Sequence, residues 1–372
     1  MVTVSEVKTR KDVKEFIELP LRLYRGSKQF VPPLYADEKK LILEGGKPNI
    51  SESVFLIARR DGRVVGRISG IIQKQYNEIH NEKRVRFTRF DSIDDAEVSA
   101  ALFSAVEEWG RERGMDTLCG PLGYSDLDRE GLLIDGFGEL CTFEEQYNYP
   151  YYPALVEAAG LEKEVDWLEF ELTAPQKQNP MLSRVAARAL ELSGLHMADT
   201  SISKKDYISK YKDGVFHVID ECYSKLYGTV PISEEEKASI IEQFVLLLNN
   251  DFLPIILDSS ERVVAFGLCF PSIGRALQKS GGRLTPIALI KLLSAVRSPK
   301  TLDLGLVAIL PEYQNSGINA VFLDTMVKML TEGGVGSLET NLNLETNSQV
   351  LAQWKHFTAR QHKRRRAYVK KI

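Results

Sequence analysis

At 372 residues the chain is long for one compact domain and sufficient for two. Hydrophobic residues supply 44% of it and charged residues 27%, a composition that excludes extensive disorder. Its 48 basic and 51 acidic residues leave a net charge of -3, without the basic excess expected of a nucleic-acid binder. No apolar run reaches the roughly 18 residues of a membrane helix, and the N-terminus lacks the apolar core of a signal peptide. A cytoplasmic protein with no membrane partner is therefore expected. The four cysteines stand far apart without a CxxC pair, and the five histidines are scattered, so no metal site is expected.

In chain order, the first clear elements are a hairpin over Val54–Ala58 and Val64–Ile72, turned at Asp61-Gly62. A helical run follows from Ala101 to Gly114. Asp166–Leu172 reads as a strand, because Trp167, Glu169 and Glu171 alternate with Leu168, Phe170 and Leu172. A second hairpin, Leu253–Leu257 with Val263–Phe270, precedes an amphipathic stretch at Pro286–Val296. Leu304–Ile309 has the composition of a buried strand, and Ala320–Gly333 reads as a helix. Ser337–Asn341 is the next strand, a helix runs from Asn347 to Phe357, and Arg364–Val369 closes the chain as a strand.

These elements repeat. Val31-Pro32 precedes Arg63-Val64-Val65 by 32 residues, and Val230-Pro231 precedes Arg262-Val263-Val264 by the same interval. Acidic, lysine-bearing helix starts follow both Val-Pro pairs. Ala101-Leu102-Phe103 matches Ala320-Val321-Phe322, with some 20 extra residues in the second copy within Ser272–Pro299. Duplication predicts two domains, 1–175 and 176–372, divided in the polar, proline-flanked segment Ala174–Pro180.

The segment after Leu304–Ile309 carries the chemistry. Pro311 stops the strand. The polar turn Glu312–Asn319 then leads into a helix with Ile318, Val321, Phe322, Thr325, Met326 and Met329 on one face. The first amides of such a helix lack internal acceptors, and the helix dipole adds positive potential, so an anion is their natural partner. Gly317 permits close approach. An ordinary loop capped by Asn315 or Ser316 is the alternative.

Val307-x-Ile309-x-Pro311-x-Tyr313-Gln314-x-x-Gly317-Ile318-Asn319 resembles the signature of GCN5-related (GNAT) N-acetyltransferases, which read V-x-P-x-Y and Q/R-x-x-G-x-G/A on a strand, turn and helix. The resemblance extends over both halves and implies an α/β (α+β) fold. It implies two tandem acyl-CoA N-acyltransferase-like domains, each a mixed, mostly antiparallel sheet flanked by helices. It implies acetyl-CoA or another acyl-CoA as co-substrate. Val307 and Ile309 would offer backbone groups to pantetheine, and Gln314, Asn315, Ser316, Gly317, Ile318, Asn319 and Ala320 would line the pyrophosphate. Asn347 and Trp354 fall in the family's helix beside the thioester, with Trp354 at the place of the frequent general-acid tyrosine. Asn319 also departs from the usual small residue. Aligning the halves puts Asp95 opposite Gln314, Glu97 opposite Ser316 and Val98 opposite Gly317, so the first half is read as degenerate.

Amine acylation needs a base, and Asp303 and Glu339 are the candidate carboxylates; a solvated strand-end charge is the alternative for each. Backbone amides near Val307–Ile309 would stabilise the oxyanion. The expected activity is acyl transfer to a small-molecule or peptide amine. A non-catalytic acyl-CoA-binding protein is the second reading, motivated by Trp354, Asn319 and the degenerate half. A transferase using a fatty acyl or aminoacyl-tRNA donor is the third.

Overall fold

The computed structural model describes residues 1–177, 180–223 and 227–372, so Gln178 and Asn179 of the expected linker lie outside the described residues. The chain forms two compact units. One comprises Met1–Leu168, Ile273–Leu293 and His362–Ile372; the other comprises Glu169–Ser272 and Ser294–Gln361.

In the first unit, Val2–Glu6, Ser51–Arg60, Arg63–Gln73 and Arg84–Ser92 pair antiparallel in that order. Thr117–Gly120 joins parallel to Arg84–Ser92, and its other side pairs antiparallel with residues 368–371 of the C-terminal strand. The second unit repeats the order. His196–Met197, Ile255–Leu257, Val263–Pro271 and Thr301–Ile309 pair antiparallel, and Ser337–Thr340 joins parallel. The far side of Ser337–Thr340 pairs antiparallel with Glu171 and Leu172. Each unit thus completes its sheet with a strand that the linear order of the repeat assigns to the other copy. Parallel neighbours at the same place in both sheets, reached through Ala96–Arg111 and Asn319–Thr331, give the duplicated α/β, mostly antiparallel fold that the sequence indicated.

Local chemistry explains the elements. Asp61 and Gly62 have φ of 52° and 76°, the left-handed pair that a two-residue hairpin turn requires. Thr9 and Asp12 form a capping box that starts Arg10–Leu23. Val98, Leu102, Phe103 and Val106 are buried on one face of Ala96–Arg111. Asp95 accepts from the Val98 amide at 3.1 Å and caps that helix. Arg60 bonds both Asp95 and Glu97, at 2.7 and 2.8 Å. The carboxylates at the turn of the first unit therefore hold an arginine. Asp91, near the end of Arg84–Ser92, lies in the core 2.7 Å from Arg67. The predicted strand Leu253–Leu257 begins at Ile255, because Asn250–Phe252 forms a short 3-10 turn and Pro254 cannot donate to a ladder.

Tyr147, Tyr149, Tyr151 and Tyr152 pack in the first unit with their hydroxyls bonded to Phe137 O, Leu23 O, Ser92 O and the Ser92 amide respectively. They are packing residues with satisfied polar ends. The basic run near the C-terminus is also structural. Arg364 and Arg366 bond the buried Asp166, and Arg365 is fully buried beside Cys141 and the Gln146 carbonyl.

Glu38 and Arg89 form a two-pronged pair at 2.8 and 2.9 Å. Burial pushes the Glu38 carboxyl up, but the Arg89 charge and hydrogen bonds outweigh it and hold it down to about 2. A depressed carboxyl stabilises the fold above its ordinary value and loses that contribution as pH falls through the folded value. The thermal midpoint gap between wild type and Glu38→Gln should therefore close as pH falls from 4.5 toward about 2. A gap constant over that range would contradict it.

Candidate functional site

The turn and strand singled out in the sequence lie together in the second unit. Thr301–Ile309 pairs in parallel with Ser337–Thr340 only from Thr301 to Leu304. Beyond Leu304 that edge has no strand partner among the described residues, and the register on its other side shifts between Leu268 and Cys269, leaving Gly305 bulged out. A bulge bends the strand, so Gly305–Ile309 splays from its parallel neighbour. This follows locally from Gly305, whose added Cβ would come within 2.9 Å of Phe270.

After Ile309, Pro311–Tyr313 makes a 3-10 turn, and Asn315 and Gly317 take φ of 65° and 85°. Asn319–Thr331 then starts with Ile318 as N-cap and no side-chain cap. Ser316 Oγ donates instead to Tyr313 O, and Gln314 Nε2 to Ile309 O at 3.0 Å. Neither Asn315 nor Ser316 caps the helix. The amides of Gln314, Ser316 and Ala320 are used in turns to Pro311 O, Tyr313 O and Gly317 O. Those of Asn315, Gly317, Ile318 and Asn319 have no acceptor among the described residues. The left-handed turn thus leaves four free donors within five residues at the positive end of a 13-residue helix.

The splayed edge is occupied by an earlier helix. The Tyr223 hydroxyl, at the end of Lys204–Tyr223, accepts from the Val307 amide at 3.3 Å and donates to its carbonyl at 3.0 Å. Cys222 Sγ donates to Ile309 O at 3.2 Å. Sequence reasoning missed both residues. They lie 84 and 87 residues before the strand residues they bond and carry no motif, so only folding brings them there.

Asp303 and Glu339 are paired in register on adjacent strands, and Glu171 pairs with Glu339 on the next strand. Three carboxylates therefore lie in one row across the sheet, while Leu302, Leu338 and Leu172 form the neighbouring row and point into a hydrophobic core. The Trp167–Leu172 alternation already signalled the Glu171 side of this arrangement. Arg360 pairs with Glu171 at 3.0 Å. Asp303 is only 5% exposed, so a solvated strand-end charge does not describe it. Burial pushes the Cys269 thiol up to about 12, and the nearby Asp303 charge adds to the shift.

The remaining sequence candidates stand apart from the row. Asn347 accepts from the Val350 amide at 3.2 Å and caps Ser348–Leu351. The helix expected through Phe357 continues as a 3-10 segment, Ala352–His356. Trp354 packs in the core with Leu302 and Leu338, and its Nε1–H is buried with no acceptor among the described residues.

No family model matches the sequence. The chain is 27% identical over 372 residues to Protein YghO of Escherichia coli (strain K12), a match over 98% of this chain and 94% of that protein. It is 25% identical over 383 residues to a bacterial ceramide synthase of Caulobacter vibrioides, covering 100% of this chain and 98% of that one. Among solved structures, a tandem GNAT protein from the clavulanic acid biosynthesis pathway superposes with a TM-score of 0.57 at 13% identity, covering 100% of this chain and 98% of that one. The duplicated sheet, the parallel pair at its centre and this superposition over the whole length agree: the chain has the fold of the tandem GCN5-related N-acetyltransferases.

Proposed function

We propose that the protein is an N-acyltransferase whose second unit holds acyl-CoA, with the pyrophosphate on the turn Pro311–Ala320. The observation that carries this reading is the set of four free amides at Asn315, Gly317, Ile318 and Asn319. They supply what a pyrophosphate needs: neighbouring unpaired N–H donors and positive helix potential. The adjacent splayed strand offers Val307 and Ile309 to the pantetheine arm once Tyr223 and Cys222 give way. Asp303 is the candidate base for the incoming amine, with Glu339 in register beside it on the next strand.

The whole-length likeness to a bacterial ceramide synthase directs the choice of substrates. A ceramide is the amide of a fatty acid with a long-chain amino alcohol. A fatty acyl thioester as donor and a long-chain amino alcohol as acceptor are accordingly the substrates to try first, ahead of small polar amines.

The test is thiol release from acetyl-CoA and palmitoyl-CoA, with a sphingoid base and a panel of small and peptide amines as acceptors. Release should depend on both donor and acceptor. Asp303→Asn should lower kcat by about 100-fold, within the usual range for losing a general base, with KM for the donor little changed. The second reading, a non-catalytic acyl-CoA binder, is favoured by Trp354, since an indole cannot protonate a leaving thiolate. It predicts donor binding with no acceptor-dependent thiol release across the panel, and that outcome would falsify the enzymatic proposal.

A further inference from the structure

The segment that the second copy has gained, between Ser272 and Pro299, plays no part in the proposed chemistry. From Ser272 to Lys300 it contains six cationic residues and no Asp or Glu, in a chain whose net charge is -3. Of the residues in its helix, Pro286–Arg297, only Lys291, Ser294 and Arg297 are polar. Ala288 and Leu292 are buried, while Ile287 and Ile290 are each 68% exposed and Leu293 is 48% exposed. Leu284, just before the helix, is 51% exposed. A helix this rich in apolar residues is normally covered by a core. Here the inward stripe is small, and the larger side chains Ile287, Ile290 and Leu293 recur at three-residue spacing on the solvent side. Arg275, Lys279 and Lys291 are exposed and have no carboxylate partner among the described residues.

We infer that this helix is a membrane-surface anchor, which lies in the interface of an anionic lipid bilayer with Leu284, Ile287, Ile290 and Leu293 inserted. Apolar insertion and attraction between basic residues and acidic headgroups are the two contributions that bind such helices, and this segment supplies both. At 12 residues the helix is too short to cross a bilayer, and no described helix is long and apolar enough to do so. A second copy of the chain is the main competing occupant. A two-fold contact through this face would set identical cationic segments against each other, with no acidic residue in either to offset them. Anionic lipid meets the same charges with the opposite sign. The inference departs from the absence of a membrane partner expected from sequence, which rested on spanning segments alone. It stands on exposure and charge, independently of acyl transfer.

The test is flotation of the full chain with vesicles of phosphatidylcholine alone and of phosphatidylcholine mixed with phosphatidylglycerol. The protein should float with the mixed vesicles, and added salt should weaken binding. Ile287→Ser/Ile290→Ser and Lys279→Glu/Lys291→Glu should each reduce binding by at least about tenfold. Both pairs are exposed, so the fold should be retained, as judged by circular dichroism and an unchanged thermal midpoint. Failure of the wild type to float overturns the inference. So does binding that both variants retain, or a dimer in solution that Ile287→Ser/Ile290→Ser dissociates. None of these readouts uses the acylation reaction, so their failure is separable from failure of the proposed activity.

Discussion

Gly317→Asp should abolish acyl-CoA binding on the calorimetric scale, weakening it by at least about 100-fold, while wild type binds acetyl-CoA, palmitoyl-CoA and free CoA. Gly317 has φ of 85°, where a residue with a Cβ is strained by about 1–2 kcal/mol. An added Cβ would also lie 3.3 Å from the Ala189 Cβ on the helix Pro180–Ser193. The aspartate further brings a carboxylate to the four free amides, where it competes with the phosphates and repels them. At about 4 Å and an effective dielectric near 20, that repulsion alone is roughly 4 kcal/mol. Gly317→Ala separates the contributions, because it adds the strain without the charge and should cost roughly tenfold. Wild-type affinity in Gly317→Asp would show that the turn is not the phosphate site, whatever the enzyme's activity.

Asp91→Ala should cost about 3–5 kcal/mol of unfolding free energy in the first unit, or leave that unit unfolded. Asp91 and Arg67 pair at 2.7 Å with side chains 2% and 6% exposed. The Tyr24 hydroxyl donates to Asp91 at 2.8 Å, and Arg67 also bonds the Phe16 carbonyl at 2.9 Å. Burial pushes the Asp91 carboxyl above its ordinary range, while Arg67 and the tyrosine hydroxyls oppose the shift. Removing the carboxylate leaves the Arg67 guanidinium buried and uncompensated, which is why the loss should exceed that of a surface pair. Asp95→Ala is the comparison. It removes a helix cap and a half-exposed pair with Arg60, and should cost only about 1 kcal/mol. Urea unfolding of the two variants measures the difference. Equal losses would mean that Arg67 finds water or another acceptor.

Tyr223 adds a consequence for binding. Its hydroxyl uses both backbone groups of Val307, one of the two strand residues proposed to meet the pantetheine arm. Donor binding through that edge requires the end of Lys204–Tyr223 to move away, so part of the binding energy offsets the loss of those contacts.

Sequence alone determined the duplication, the two hairpins and the strand, turn and helix of the candidate phosphate site. Each is written in local terms: alternation, helical periodicity, a stop at Pro311, and Asp61-Gly62 or Gly317 where the backbone must turn left-handed. It also brought out the extra segment around Pro286–Val296 as an insertion. The tertiary structure decided what depends on register and on distant chain. Only strand pairing could put Asp303, Glu339 and Glu171 in one row, since a shift of one residue would have turned them into the core in place of Leu302, Leu338 and Leu172. Only folding could show that Arg364 and Arg366 pair with Asp166 and that Arg365 is buried in the first unit, because periodicity does not reveal partners 200 residues away. The occupation of the splayed edge by Tyr223 and Cys222 is of the same kind. The exposure of Ile287 and Ile290 belongs there too, since composition marks an apolar residue but only packing shows whether anything covers it.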